Sequence, residues 1–466
     1  MSLNFKEILL FTSLFIVNVI LKDTTISIIL TIGQCLYVIS LFLKGKIQDA
    51  VFWHFIFMLT SFAISGGIDE DVVKTGYFST KLVGNITLSY VIAIILYVNS
   101  ARRRPSEIKE HISHFKYLRN VLTYFLCSGV LLGILGVVFS DYYIGTLIGY
   151  SVYIFVVWIH ACLLINVNTN SFLKKCYEAS ISLLIASILS TLFNYSYGVT
   201  TEYSVYETTV SSSLSQFSII LIFFVKELKM SQKILVSTLL TLSLLISILS
   251  GSSGKFFLYL GCIGVIYLLR QRNGGKKSGI VKAGVLLGGV VVISFAFMQE
   301  ESLFAAKLGQ FISMGALFHG QIEDIEASPY IRVASMLNIY LENIKNPIYF
   351  CLGRGFGGYF QDILNLFPNV VLTQDAFADI YVASGKYPTA HSTFNLVPLF
   401  HGFPGLFMIF RVILMYIKDG IKGSNLAVAS VIWLLFMFYF DIQLAVIGLF
   451  LLYSSHYFAI IQNATD

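Results

Sequence analysis

Apolar runs of roughly 17 to 25 residues recur from one end of this chain to the other, each long enough to cross about 30 Å of hydrocarbon as a helix. Nothing else in the sequence narrows the fold so far. In lipid a backbone must satisfy its own polar groups, which leaves helices and closed barrels, and unbroken apolar runs of this length select helices. About fourteen runs are read, near 7–21, 25–43, 47–64, 83–99, 120–139, 145–166, 177–194, 211–226, 233–250, 256–269, 280–297, 392–416, 424–440 and 442–461. The first continues into further spans and is read as helix one, not as a cleaved signal. Only 12% of the 466 residues are charged, where a soluble domain carries about 25%, and 56% are hydrophobic. The chain is therefore expected to be an all-α, polytopic integral membrane protein with the lipid bilayer as its surroundings.

Lys and Arg set the expected orientation. Lys44 and Lys46, the run Arg102, Arg103 and Arg104, Lys174 and Lys175, Arg270 and Arg272, and Lys418 and Lys422 fall on alternate connections. Basic residues mark cytoplasmic loops, so both termini are assigned to the cytoplasm, and the net charge of +6 calls for no nucleic-acid partner. Three parts follow: an N-terminal transmembrane bundle over 1–297 with about eleven helices, one large outward loop over 298–391, and about three C-terminal helices over 392–466. The loop stretch IRVASMLNIYLENIKNPIYF reads as an amphipathic helix from about 329 to 345, ended by Asn346-Pro347. A long structured loop usually carries function. The six cysteines show no metal-ligand spacing, and no metal or cofactor is expected.

Candidate chemistry gathers at the loop's ends. In AHSTFNLVPLFHGFPGLF, His391 stands at the outer mouth of a span, and Gly402, 11 residues on, lies about three turns away on nearly the same face. Gly402 and Gly405 would let a neighbouring helix approach closely, while Pro398 and Pro404 would kink the span. His391 is either an interface histidine or a functional one. In IKNPIYFCLGRGFGGYF, Gly353, Gly355 and Gly357 alternate around Arg354; the dinucleotide spacing found there is rejected for want of a βαβ unit. Such a turn can offer backbone N–H groups to an anion, or simply be tight. Arg332 opens the loop helix, and Lys255 follows the polar turn SGSSG; each is a surface cation or a phosphate contact. Taken together, cations and one imidazole suit a sugar carried on a polyprenyl diphosphate. The cations would stabilise charge growing on the leaving diphosphate, and a neutral histidine would accept the proton of the attacking hydroxyl.

On these motifs the chain resembles the O-antigen polymerase and O-antigen ligase superfamily of bacterial envelopes (the Wzy and WaaL type), most closely over about 250–415. The ligase pattern of His, then Asn, Ser or Gln, nine residues, then Gly-x-x-Gly is met by His391, Ser392, Gly402 and Gly405. An arginine opening an amphipathic loop helix, then Asn-Pro and alternating glycines, is met by Arg332, Asn346, Pro347, Gly353, Gly355 and Gly357. The family's Ser-Arg-Gly is not met: the chain has Ser252-Ser253-Gly254-Lys255, which leaves Lys255 as the candidate substitute.

The resemblance implies a metal-independent, inverting glycosyltransferase of the GT-C type in the bacterial inner membrane, working on its periplasmic or outer face. Its donor and acceptor would be oligosaccharides on undecaprenyl diphosphate, and a chain-length regulator would be a further partner. His391 and Arg332 would be catalytic; Lys255, Arg354, Gly353, Gly355, Gly357 and Ser392 would hold diphosphate or glycan; Gly402 and Gly405 would pack helices. A polymerase is favoured by the chain length, the many spans and the departure at the ligase-like arginine. The alternatives are a ligase that transfers glycan to lipid A–core or protein, and a flippase. The flippase is the weaker fit, because the two halves do not mirror each other and charge collects at one mouth.

Overall fold

The computed structural model describes residues 4–20, 25–60, 77, 80–83, 86–100, 113–164, 175, 177–186, 188–189, 230–249, 309, 313, 327–367, 376–390 and 392–421, with scattered short stretches of one to three residues between 427 and 453. The labelled helices are α1 Phe5–Ile20, α2 Thr25–Leu43, α3 Ile47–Thr60, α4 Leu88–Ser100, α5 Ser113–Phe139, α6 Ile144–Leu164, α7 Met230–Leu249, α8 Ala327–Lys345, α9 Pro347–Leu352, α10 Asp379–Ser384 and α11 Thr393–Ile421. A further apolar helix covers Tyr177–Ala186. Two small antiparallel ladders pair β1 Lys81–Val83 with β2 Ile86–Thr87, and β3 Phe360–Gln361 with β4 Lys386–Tyr387.

The fold is mostly helical, and among the described residues four helices are long and apolar enough to cross a membrane: Ile26–Leu43, Phe115–Phe139, Ile144–Leu164 and Thr393–Ile421. Their outward faces are greasy. Ile29, Ile32 and Leu36 of α2, Leu131, Leu135 and Val138 of α5, and Phe407, Phe410 and Leu414 of α11 are all exposed, spaced three to four residues apart as one helix face requires. Such faces are stable against hydrocarbon and not against water, so the protein is membrane-embedded. The expected span at 83–99 begins later, at Leu88, because Lys81–Val83 and Ile86–Thr87 pair as strands on either side of Gly84-Asn85. The β-branched Val83, Ile86 and Thr87 favour that local choice. The expected spans at 211–226, 256–269 and 280–297 lie outside the described residues, as does most of 424–461.

Helices α5 and α6 form a hairpin through residues 140–143, and α11 packs against α5 in the opposite direction. Antiparallel packing follows from two contacts: the His401 ring stacks on Phe125 at 4.1 Å, and the Arg411 guanidinium lies over Tyr117 at 4.8 Å. Lys116, Arg119, Arg411 and Lys418 therefore belong to one end of this helix group. At the other end Lys386 pairs with Asp141 and Ser384 bonds Tyr143, while α8 and α9 lie on α11.

Candidate functional site

The sequence expects a loop helix over 329–345 that ends at Asn346-Pro347, and α8 runs Ala327–Lys345. Its termination is also the start of α9. The Asn346 side chain accepts from the N–H of Ile348 (3.0 Å) and Tyr349 (3.4 Å), and Pro347 occupies the first helical turn, where its missing N–H costs nothing. On its inner side α8 buries Ile331, Ala334 and Ile339, together with the polar Asn338 and Asn343. Asn338 anchors the strand-like return. Its amide donates to Asp362 Oδ1 (2.8 Å) and its oxygen accepts from Leu364 N (3.1 Å), while Asp362 accepts from the N–H groups of Leu366 and Phe367.

Helix α11 is broken, and the break organises the site. Pro398 and Pro404 each withhold a donor, but the non-helical residue is Gly402 between them, at φ 65° and ψ −168°. Four carbonyls ahead of or at the break take partners from outside the helix. Phe394 O, freed by Pro398, accepts from the Tyr340 hydroxyl (3.2 Å). Pro398 O accepts from the Asn343 amide (2.8 Å). Leu399 O accepts from Arg354 N (2.9 Å), and Phe400 O, freed by Pro404, accepts from Gly355 N (2.9 Å). A kinked membrane helix is tolerated only with such substitutes, and here α8 and the glycine turn supply them.

This arrangement changes the reading of the turn. Gly353, Gly355 and Gly357 have φ of 72°, 74° and 85°, so their alternation meets a backbone that only glycine adopts at little cost. Their surroundings are equally tight: a Cβ on Gly355 would meet Gly133 of α5, and one on Gly353 would meet the backbone of Phe400 and His401. The N–H groups of Gly353, Arg354, Gly355, Phe356 and Gly358 all donate to carbonyls. Where the sequence suggested donors offered to a diphosphate, the N–H groups of Gly353 and Gly355 are used in folding, and Gly353, Gly355 and Gly357 are all buried.

Arg354 is also taken up by folding. It is 5% exposed, its Nη2 pairs with Glu342 Oε2 at 2.6 Å, its Nη1 donates to Tyr359 O, and its guanidinium covers the Tyr349 ring at 4.4 Å. Its charge is committed to Glu342, whose other oxygen accepts from Gln361 N (3.3 Å). It braces the turn.

Arg332 is differently placed. Its side chain is exposed, and among the described residues its guanidinium has no ion-pair partner. Enough protein surrounds it for desolvation to pull its pKa below the ordinary arginine value, yet a guanidinium so far above neutrality stays cationic. Its backbone carbonyl accepts from the Asn395 amide (2.9 Å) in the first turn of α11, four residues beyond His391 in sequence. Ser392 opens that turn, its carbonyl accepting from the N–H of Asn395 and Leu396. His391 and Lys255 lie outside the described residues. Gly402 abuts Phe350 O (2.6 Å from an added Cβ), and Gly405 lies 3.5 Å from the Phe125 ring by the same measure.

Several residues that sequence reasoning passed over matter here. Tyr340, Asn343, Glu342 and Asn395 serve the break and the turn; the only signal for them was that prolines in a span require donors from somewhere. His401, in the same stretch as His391, is fully buried and shares a hydrogen bond with Ser128 (3.1 Å). A second buried group joins Tyr77, His54 and His160. Val156 O can only accept from His160 Nδ1 (2.7 Å), so in the neutral rings His54 Nε2 donates to His160 and Tyr77 donates to His54 Nδ1. Asn395→Ala is expected to loosen α8 from α11, lowering the melting midpoint in detergent by the few degrees that one lost hydrogen bond of about 1 kcal/mol allows. An unchanged midpoint would dismiss that bond. Compared with known proteins, the sequence matches no protein-family model and no curated protein.

Proposed function

We propose that the chain is a membrane glycosyltransferase that joins lipid-linked oligosaccharide units, with Arg332 and His391 as its catalytic pair. One observation carries the reading: an exposed cation without an ion-pair partner among the described residues sits on a loop helix whose backbone is bonded to the helix turn following His391. In the proposed reaction a hydroxyl of the acceptor sugar attacks the anomeric carbon of the donor. The bond from that carbon to the diphosphate oxygen breaks as the new C–O bond forms on the opposite face, which inverts the configuration. His391 takes the hydroxyl proton, and Arg332 meets the charge released onto the diphosphate. Ser392 and Lys255 belong to the same proposed site, as glycan and phosphate contacts.

The resemblance to the O-antigen polymerase and ligase superfamily supplies the carrier, undecaprenyl diphosphate, and the GT-C arrangement of about fourteen spans. Orientation is supported by the Lys and Arg residues that fall on alternate connections along the sequence. Under the positive-inside rule this sends the module to the periplasmic or outer face of a bacterial inner membrane, with both termini cytoplasmic. Polymerase is the activity proposed. A deletion strain should then accumulate single repeat units, whereas loss of a ligase leaves unattached long chains.

Arg332→Ala and His391→Ala are each expected to cut the extension of lipid-linked repeat units by about 10²-fold or more, the usual cost of one transition-state contact, while insertion and melting stay as in the parent. The check is gel analysis of glycan length with the purified protein. Wild-type-length polymer from either variant would remove that residue from the mechanism.

A further inference from the structure

We propose that residues 346–358 form a re-entrant hairpin that descends to about the middle of the bilayer and lays the outer face of α9 against lipid acyl chains. This rests on the membrane-embedded character of the helices and not on the proposed reaction. Depth is set by α5. Between Arg119 and Asp141 the sequence carries no charge, and residues 120–139 rise about 30 Å as a helix, one hydrocarbon thickness. Leu131, Ile134, Leu135, Val138 and Phe139 are exposed along it up to its end. Gly129 therefore lies near the middle of the layer, and Gly133 about 9 Å beneath its edge.

The hairpin meets α5 at those two glycines. Phe356 N donates to Gly129 O (2.8 Å), and its ring fills the space that a side chain on Gly129 would need. Helix α11 meets the hairpin at the same level of α5. His401 stacks on Phe125 and bonds Ser128, and the adjoining Gly402 touches Phe350 O and Gly353 N of the hairpin. The chain then climbs back to the edge, where Gly357 O accepts from Tyr143 N (3.1 Å) in the connection between α5 and α6.

Irregular backbone at such depth survives only if protein satisfies its donors. That is the pattern of the turn, whose N–H groups go to Tyr349, Leu399, Phe400, Gly129 and Gly355 carbonyls. Its single charged residue, Arg354, is neutralised by Glu342. What remains outward is apolar: Ile348 is 64% exposed and Leu352 47%, with Cys351 between α9's exposed positions. Phe350 stacks on Phe403 at 4.6 Å, one turn from the exposed Phe407 of α11. The face of α9 thus continues the lipid-facing surface of a spanning helix, and acyl chains are the occupant that fits it.

Cys351 is the natural probe. The full chain in lipid vesicles would be labelled with a small fluorescent maleimide, and the Cys351→Ser variant would give the signal of the other cysteines for subtraction. Asp379→Cys on the Cys351→Ser background provides an aqueous reference. The Cys351 label should lose most of its emission to lipids carrying a nitroxide on the acyl chain and little to dissolved iodide, with the reverse at position 379. Quenching of the Cys351 label by iodide, or by neither agent because protein covers it, overturns the proposal. Hydrogen exchange is a label-free second reading. The amides of Gly353 to Phe356 should stay protected in vesicles, and exchange as rapid as that of residues 379–384 would equally defeat it.

Discussion

Gly402→Ala should leave little monodisperse protein, and what survives should melt far below the parent. Gly402 holds φ 65° and ψ −168°, a region essentially closed to residues with a Cβ, which alone costs about 1–3 kcal/mol. An added Cβ would also stand 2.6 Å from Phe350 O, 2.8 Å from Gly353 N and 3.0 Å from Tyr349 O. None of these atoms is the far end of a flexible side chain, so relief requires moving α9 or the turn, at about 1–3 kcal/mol more. Moving either would also unseat the donors that Arg354 and Gly355 give to Leu399 and Phe400. Gly149→Ala on α6 is the control, because nothing lies within 4 Å of its added Cβ and a helix prefers alanine by about 1 kcal/mol. Thermal unfolding and size-exclusion profiles in detergent decide the matter. If Gly402→Ala melted with Gly149→Ala, the break in α11 would not be where its geometry places it.

Arg354→Ala should cost about 3–5 kcal/mol, the usual penalty for removing one partner of a buried ion pair. Its loss strands the Glu342 carboxylate, which is only 15% exposed, and removes the brace between α8 and the turn. Adding Glu342→Gln should recover part of that loss, because the stranded charge disappears with it. A double-mutant cycle on melting midpoints isolates the coupling. Arg354→Lys should not restore the parent, since an ammonium cannot reach Glu342 and Tyr359 O as the planar fork does. The outcome separates two roles. Were Arg354 a substrate contact, its removal would spare stability and impair only turnover.

Much of the helical layout was legible beforehand. The run at 25–43 became Thr25–Leu43, and the amphipathic period at 329–345 became Ala327–Lys345, because both depend only on which residues recur on one face. The glycine alternation was also visible, and left-handed backbone is what alternating glycines allow. Its purpose was not visible. Spacing suggested donors free for an anion, but the acceptors that use those of Arg354, Gly355 and Phe356 lie on α11 and α5, far away in sequence. The same holds for Arg354, which reads as an available cation until Glu342, one α8 turn before Asn346, is brought beside it. Prolines 398 and 404 announced freed carbonyls without naming Tyr340, Asn343 or Gly355 as the groups that answer them.

The sequence by itself determined the membrane setting and the helical state of the apolar runs among the described residues, because hydrocarbon leaves a lone segment no other way to satisfy its backbone. Which polar groups are spent on folding, and which stay open to a ligand, was decided only by the tertiary structure. Hydrogen bonds and ion pairs join atoms within about 3 Å, and no spacing along the chain fixes which distant residues come that close.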